Sequence, residues 1–476
     1  MKKSQRLLSM LISTALILTV AACNSKKDDT DKSEQQAEQK AEDNKGAEAA
    51  PAVEVEKTLF PKGTMTIYGY GNPQYLQYYY DDFLERHRDI APEVEIKIVQ
   101  AKNAQDAREK ISMTYLSGAL KDLPTCTYID PVGLKDLANG DMILDMTDFL
   151  TPLLPKMVEG ATVDGMVDGK MYGLPESVRP QLLFYNKSIF DEYGIDPSQM
   201  TTIEKWIEVG RELKEKSGGK TYLSYIDPGK NAWRYYGRRG LMPQANGRIW
   251  DDEGKVVMGT DPGTKKAMET LDTLMKEDLL FKSTIFEPPL YDACRKHQVA
   301  TFYIGAFWDE FLRKNVPEMA GEWRVMNAPV FEKEQQGGAP VTGYFVILNN
   351  PDDPYTELAK MLWEDFTFNT EQRTKWVKRV DSENGPYANP ISLEMLDDAF
   401  WKEPSDYYGG QSFRTAEAQG LQNPSKNLPV TAQDAEADVI ISAELEAYVA
   451  GNQTMEEALQ NMQKNLEGKI GQSEVK

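Results

Sequence analysis

Residues 65–139 alternate between strand-like and helix-like apolar spacing, and that alternation limits the fold more than any single motif. Residues 65–70 read as a buried strand running into Gly69, Gly71 and Asn72. Pro73 opens a helix to about residue 88, with Leu76, Tyr79, Tyr80, Phe83 and Leu84 on its apolar side. Residues 93–99 place Val94, Ile96 and Ile98 on one face of a second strand. A helix over 105–117 stops at Gly118, and 123–129 forms a third strand before Asp130-Pro131 and a short helix. Helix-length connections between strands predict parallel pairing in an α/β lobe. Ligands bind beyond the carboxyl ends of such strands, which singles out Tyr70-Gly71-Asn72 and Asp130.

From about residue 172 the pattern restarts. Strands are predicted at 182–185, 222–226 and 299–305, and helices at 203–216, 261–277 and 307–314. Residues 344–348 form a lone strong strand, followed by a helix over 353–368. Helices close the body at 435–450 and 454–466, the last opened by a Thr454/Glu457 capping box. A chain of 476 residues has material for more than one core, so a second α/β lobe is expected.

The N-terminus reads differently. Lys2, Lys3 and Arg6 precede an apolar run over 7–20, which is too short to cross a bilayer core of about 30 Å. Residues 1–22 are therefore expected to be a secretory signal peptide. Val20-Ala21-Ala22-Cys23 resembles the lipobox of bacterial lipoproteins, which implies that Cys23 is acylated and becomes the mature N-terminus. Acyl chains stabilise membrane attachment by roughly 0.8 kcal/mol per buried methylene. Residues 23–57 carry Asp, Glu, Lys, Gln, Ala and Ser without an aromatic residue, and are expected to be a disordered linker.

The formal net charge is −21, and removing residues 1–22 takes away three further cations. A surface this acidic excludes nucleic acid as a partner and keeps the body off anionic lipid, so tethering falls to the lipid anchor. Two histidines (His87, His297) without a Cys/His cluster give no metal site and no cofactor. Cys126 and Cys294 fall in different predicted lobes and are expected to be buried thiols. Asp251-Asp252-Glu253-Gly254 lacks the ligand spacing of a calcium loop and reads as a polar turn.

Four stretches, in order, carry a family resemblance. They are 168–195 (Asp168-Gly169-Lys170-Met171-Tyr172-Gly173-Leu174-Pro175 running into Leu182-Leu183-Phe184-Tyr185-Asn186-Lys187), 299–308, 337–347 and 451–459. The chain resembles the extracellular solute-binding proteins of ABC importers, specifically the oligosaccharide-binding group. The resemblance implies an α/β, two-lobed periplasmic-binding-protein-like (type II) fold with an interlobe cleft. It implies an N-terminal lobe of 58–171 plus 335–391 and a C-terminal lobe of 172–334 plus 392–470. The chain would cross near residues 171–174, return near Gly337 and leave again around Ser392. Residues 400–428, with Tyr407-Tyr408-Gly409-Gly410, match only some members, which leaves their role open.

A sugar offers apolar C–H faces to aromatic rings and a belt of hydroxyls to charged or amide groups. Trp308, after the 299–305 strand, is the first candidate for ring stacking. Glu176, Ser177 and Arg179 follow the Gly-Leu-Pro crossover, and Asp130, Tyr70 and Asn72 stand at strand ends, with Gln74 weaker. Trp233 lies in the aromatic and cationic run 231–236, and Tyr344 follows Gly343 at a lobe crossing. Each has a structural alternative: a core ring, a solvated loop or, for Asp130, a helix cap. Trp206, Trp363 and Trp376 fall on helix faces expected to be core.

These observations point to a lipid-anchored receptor on the extracellular face of the cell membrane. It would bind an oligosaccharide in an interlobe cleft and deliver it to the transmembrane subunits of an ABC permease, as a monomer without catalysis. A carbohydrate-active hydrolase is the rival, resting on the carboxylate pair Glu176 and Asp130. No nucleophile elbow, metal ligand set or other enzyme motif supports it. A ligand-presenting adaptor for a membrane sensor kinase would share the binding chemistry and differ only in partner.

Overall fold

The computed structural model describes residues 59–158, 161–332, 340–385, 389–421, 425–431 and 433–470. The expected signal peptide, Cys23, the linker and the return crossing at Gly337 lie outside the described residues.

Among the described residues twelve strands follow in chain order: β1 Gly63–Gly69, β2 Val94–Gln100, β3 Cys126–Ile129, β4 Met166–Val167, β5 Lys170–Met171, β6 Leu174–Arg179, β7 Gln181–Asn186, β8 Ser224–Ile226, β9 Leu280–Lys282, β10 Thr301–Gly305, β11 Trp323–Asn327 and β12 Val341–Ile347. The first sheet runs β2-β1-β3-β12-β6. Both β2 and β3 pair parallel to β1, as the spacing predicts. Met65 and Ile67 of β1, and Val94 and Ile96 of β2, are buried on the alternation that sets their register. Because β2 and β3 flank β1 on opposite sides, the strand order reverses between β1 and β3, the position where open α/β sheets bind ligands.

The second sheet is centred on β7, with β10 and β11 antiparallel on either side. Bonds from Ala300 and Thr301 to the carbonyls of Tyr222 and Leu223 join the parallel pair β8-β9 to it. Helices pack around each sheet with conventional ends. Thr202 caps Ile203–Ser217, which stops at Gly218 in a left-handed turn (φ 62°). The Thr454/Glu457 capping box forms as predicted.

Two large cores result. One gathers buried residues from Met65 to Val178 and from Phe345 to Trp401, beside a smaller cluster containing Ile129 and Tyr344. The other gathers residues from Leu182 to Ala328 and from Tyr407 to Leu466. Cys126 and Cys294 are buried free thiols, one in each core. Trp206, Trp363 and Trp376 are core residues as expected. Asp251 accepts from the amides of Glu253 and Lys255, so 251–255 is a self-bonded turn.

Two expected boundaries move. β6 hydrogen-bonds to β12 in the first sheet and β7 belongs to the second, so the chain changes sheets at Pro180, later than the expected 171–174. Met395, Phe400 and Trp401 bury their apolar bulk in the first core, so the return to the second comes after residue 401 rather than at Ser392.

Candidate functional site

The carboxyl ends of β1 and β3 bring the first group of side chains together. Tyr70 follows β1 and Tyr128 closes β3, with ring centroids 5.4 Å apart. A Cβ on Gly343 would stand 1.8 Å from the Tyr128 hydroxyl, so glycine in β12 is what allows this approach. Burial pushes the Tyr70 hydroxyl well above its usual pKa, and Tyr128 and Asp130 add to the rise. Asp130 caps the helix Pro131–Asn139 by accepting from the Gly133 amide at 2.9 Å. Its other oxygen faces Arg234 of the second lobe at 3.8 Å. Asp130 therefore serves as a helix cap and also faces the cleft.

Asn72 is held from across the cleft. Its amide donates to the Glu310 carboxylate, and Lys314 donates to its oxygen at 2.8 Å. Both partners sit on the helix Trp308–Asn315, whose Trp308 and Leu312 lie in the second core. The same helix ties the lobes again through Arg313, which pairs with Asp309 and reaches Asp381 at 3.2 Å. Arg414 meets that aspartate at 3.1 Å, and the Tyr408 hydroxyl donates to Asp309 at 2.8 Å. Arg414, within the stretch whose role the sequence left open, thus supplies part of the contact between lobes.

β6 carries the second group. Glu176 and Ser177 are buried, and the serine hydroxyl donates to the glutamate. Arg373 approaches Glu176 at 3.6 Å while stacking 3.7 Å over Phe366. Burial pushes Arg373 down to about 10, against the opposing pull of Glu176. Arg179 ends the strand with its Nε buried and without a hydrogen bond. Its electrostatic neighbours are Glu176, Tyr128, Glu310 and Glu417. Burial raises Glu310 to about 7 and Glu417 to about 8, with Arg179 the largest opposing influence on each.

Tyr70, Asn72, Asp130 and Arg179 thus face groups of the second lobe, whereas the hydrogen bond and ion pair of Glu176 and Ser177 stay within the first. Gln74 is exposed on its helix. Trp308, Trp233 and Tyr344 are placed elsewhere. Trp308 is completely buried, packed against Phe302 at 4.8 Å and among Phe286, Tyr291 and Phe311. Trp233 is buried with its Nε1 donating to Asp438 at 2.7 Å. Tyr344 lies beneath Gly165 and donates to the Ala161 carbonyl at 2.9 Å. All three rings serve the cores in this structure, because aromatic surface this large is stabilised more by burial than by waiting exposed for a ligand.

The sequence reading missed Tyr128, Arg239, Glu310, Lys314, Arg373 and Glu417. Tyr128 had a usable signal, since it stands two residues before Asp130 on the same strand. The rest depend on packing between elements far apart in sequence, within the first lobe for Arg373 and between lobes for Glu310 and Lys314, and no local pattern encodes that.

The profile of the bacterial extracellular solute-binding protein family matches residues 70–293. The arabinooligosaccharide-binding protein of Halalkalibacterium halodurans is 23% identical over 274 residues, 56% of this chain and 58% of that one. The arabinooligosaccharide-binding protein of Bacillus subtilis is 21% identical over 294 residues, 56% of this chain and 64% of that one. The chain thus spans about three-fifths of the length of the curated relatives it matches. Among solved structures, the ABC transporter associated binding protein of B. animalis subsp. lactis, in complex with β-1,6-galactobiose, superposes with a TM-score of 0.71 at 20% identity. That likeness covers 86% of this chain and 99% of the other. Residues 70–293 thus match the bacterial extracellular solute-binding family by sequence, and the chain as a whole shares the two-lobed fold of the solved sugar-bound structure.

Proposed function

We propose that the protein captures an oligosaccharide between its lobes and releases it unchanged to an ABC permease. The observation that carries this reading is the convergence of both lobes on one region. Tyr70, Tyr128, Asp130, Glu176 and Arg179 come from the first, and Arg234, Arg239 and Glu310 from the second. Rings suit sugar faces, and planar charged groups suit vicinal hydroxyls. A ligand touching both lobes favours the closed arrangement by its differential affinity. Relatives named for arabinooligosaccharide and a fold-mate bound to galactobiose support this class of ligand.

The reading includes no catalysis. Asp130 divides its oxygens between a helix cap and Arg234, and Glu176 is held by Ser177 and Arg373, an arrangement that favours binding over acid–base chemistry. It also includes an extracellular monomer held to the cell membrane by lipid on Cys23, because the Val-Ala-Ala-Cys pattern precedes an aromatic-free spacer. Among the described residues no helix is long and apolar enough to cross a membrane.

A thermal-shift screen across oligosaccharides, with chromatography of the recovered sugar, tests the function. We expect at least one oligosaccharide to raise the melting temperature by mass action and to return intact. Shortened products would favour a hydrolase. A screen in which only non-saccharide solutes shift the melt would overturn the reading. Radiolabelled palmitate incorporation into wild type but not Cys23→Ala tests the anchor.

A further inference from the structure

The segment Ala232–Leu241 is a π-helix, an uncommon element that recurs at functional sites. Its hydrogen bonds close over five residues, so side chains at i and i+5 share a face. On an α-helix the same pair would stand about 140° apart. One such pair faces the second lobe: Trp233 Nε1 and Arg238 Nη1 both donate to Asp438 Oδ1, at 2.7 and 2.9 Å. The pair one residue on, Arg234 and Arg239, faces the first lobe. Both guanidinium carbons lie 6.0 Å from the ring centroid of Tyr235, which stands between them in sequence.

Arg238 is satisfied by Asp434 and Asp438. The outward pair is not. Among the described residues Arg234 pairs with Asp130 at 3.8 Å and also feels the field of Asp438; its Nε is buried without a hydrogen bond, although the side chain as a whole is 41% exposed. Arg239 makes no hydrogen bond or ion pair among the described residues. Its electrostatic neighbours are Arg234, Tyr235, Asp130 and Tyr128, and burial together with the like charge of Arg234 lowers its pKa. Two guanidinia that repel one another thus have Asp130 as their one close carboxylate among the described residues, in a protein whose net charge is −21. Two solvent-reachable guanidinia on one face offer an anion a pair of planar donor forks. A vicinal diol could accept their hydrogen bonds but would leave the excess charge in place. A planar carboxylate would satisfy both the donors and the charge.

We propose that Arg234 and Arg239 form a two-pronged anion site, and that the saccharide taken by the cleft carries a carboxylate, as uronic acids do. This rests on the oligosaccharide reading above. Tyr70 and Tyr128 of the facing lobe supply the ring surface beside that carboxylate.

Calorimetric titration at low salt tests it, with oligogalacturonates and glucuronic-acid-bearing xylo-oligosaccharides, their methyl esters, and neutral galacto- and arabino-oligosaccharides. We expect a free acid to bind roughly tenfold or more tighter than its ester, with the preference shrinking as salt rises. Arg239→Gln should erase the preference with unchanged thermal unfolding, and Arg239→Lys should restore part of it. Arg234→Gln provides the second variant. Neutral sugars binding while every acid binds no tighter than its ester would overturn the anion site and leave the sugar reading standing. Failure of every saccharide to bind would overturn that reading itself.

Discussion

The two walls of the cleft are made by different means. The first lobe presents strand ends: Tyr70 and Asn72 after β1, Tyr128 and Asp130 at the end of β3, Arg179 at the end of β6. The second lobe presents helices: the π-helix with Arg234 and Arg239, and Trp308–Asn315 with Glu310 and Lys314. A strand end places its side chains by a period of two and by its neighbours in the sheet. A helix reaching across a cleft places them by packing beneath it. The first wall is thus set by local pairing, and the second by what lies in the core behind it.

The largest expected effect breaks the comparison if it fails. Trp308 belongs to the core behind the second wall, so Trp308→Ala should cost about 3–5 kcal/mol of stability in denaturant titration. Tyr70→Ala should cost far less stability and lose affinity instead. A stable Trp308→Ala protein with lost affinity would make that ring part of the wall. Next in size is Gly343→Ala, whose added Cβ would collide with Tyr128. It should destabilise by about 1–3 kcal/mol and weaken sugar binding, measured by melting and calorimetry.

The buried carboxyls sharpen the second wall. Glu310 and Glu417 titrate near 7 and 8 in the fold, above the usual glutamate value. The folded state therefore holds protons that the unfolded chain has released. Stability from this source is full below a pH of about 4.5 and is lost as pH rises through 7 and 8. Melting temperature should fall across that range, and Glu310→Gln with Glu417→Gln should flatten the decline. A rise with pH in the wild type would contradict the assignment. Smallest is Asn72→Ala, which removes two contacts between the lobes. It should weaken ligand binding by about 1 kcal/mol with little change in the melt of the free protein.

The same contrast explains what could be read from sequence. The elements 63–69, 94–100 and 126–129 follow alternating apolar residues, and Asp130-Pro131 announces its own cap. Tyr70, Asn72 and Asp130 could therefore be placed by counting along strands. The crossing near 171–174 is what the family resemblance implies, whereas in this chain β6 continues the first sheet to Arg179. Trp308 and Trp233 were misjudged because an aromatic residue after a strand has the same local pattern whether it faces a cleft or a core. Arg234 and Arg239 were invisible as a pair because α-helical counting puts them on different faces, and nothing in 232–241 announces the wider turn.

The central claim is that one ligand is held by both walls at once. Calorimetric titration of an oligosaccharide found by the thermal screen, into wild type, Tyr70→Ala and Arg234→Ala, tests it most directly. The account predicts that each substitution weakens binding roughly tenfold or more while the fold melts normally. Wild-type affinity in either variant would show that one lobe binds alone and would contradict it.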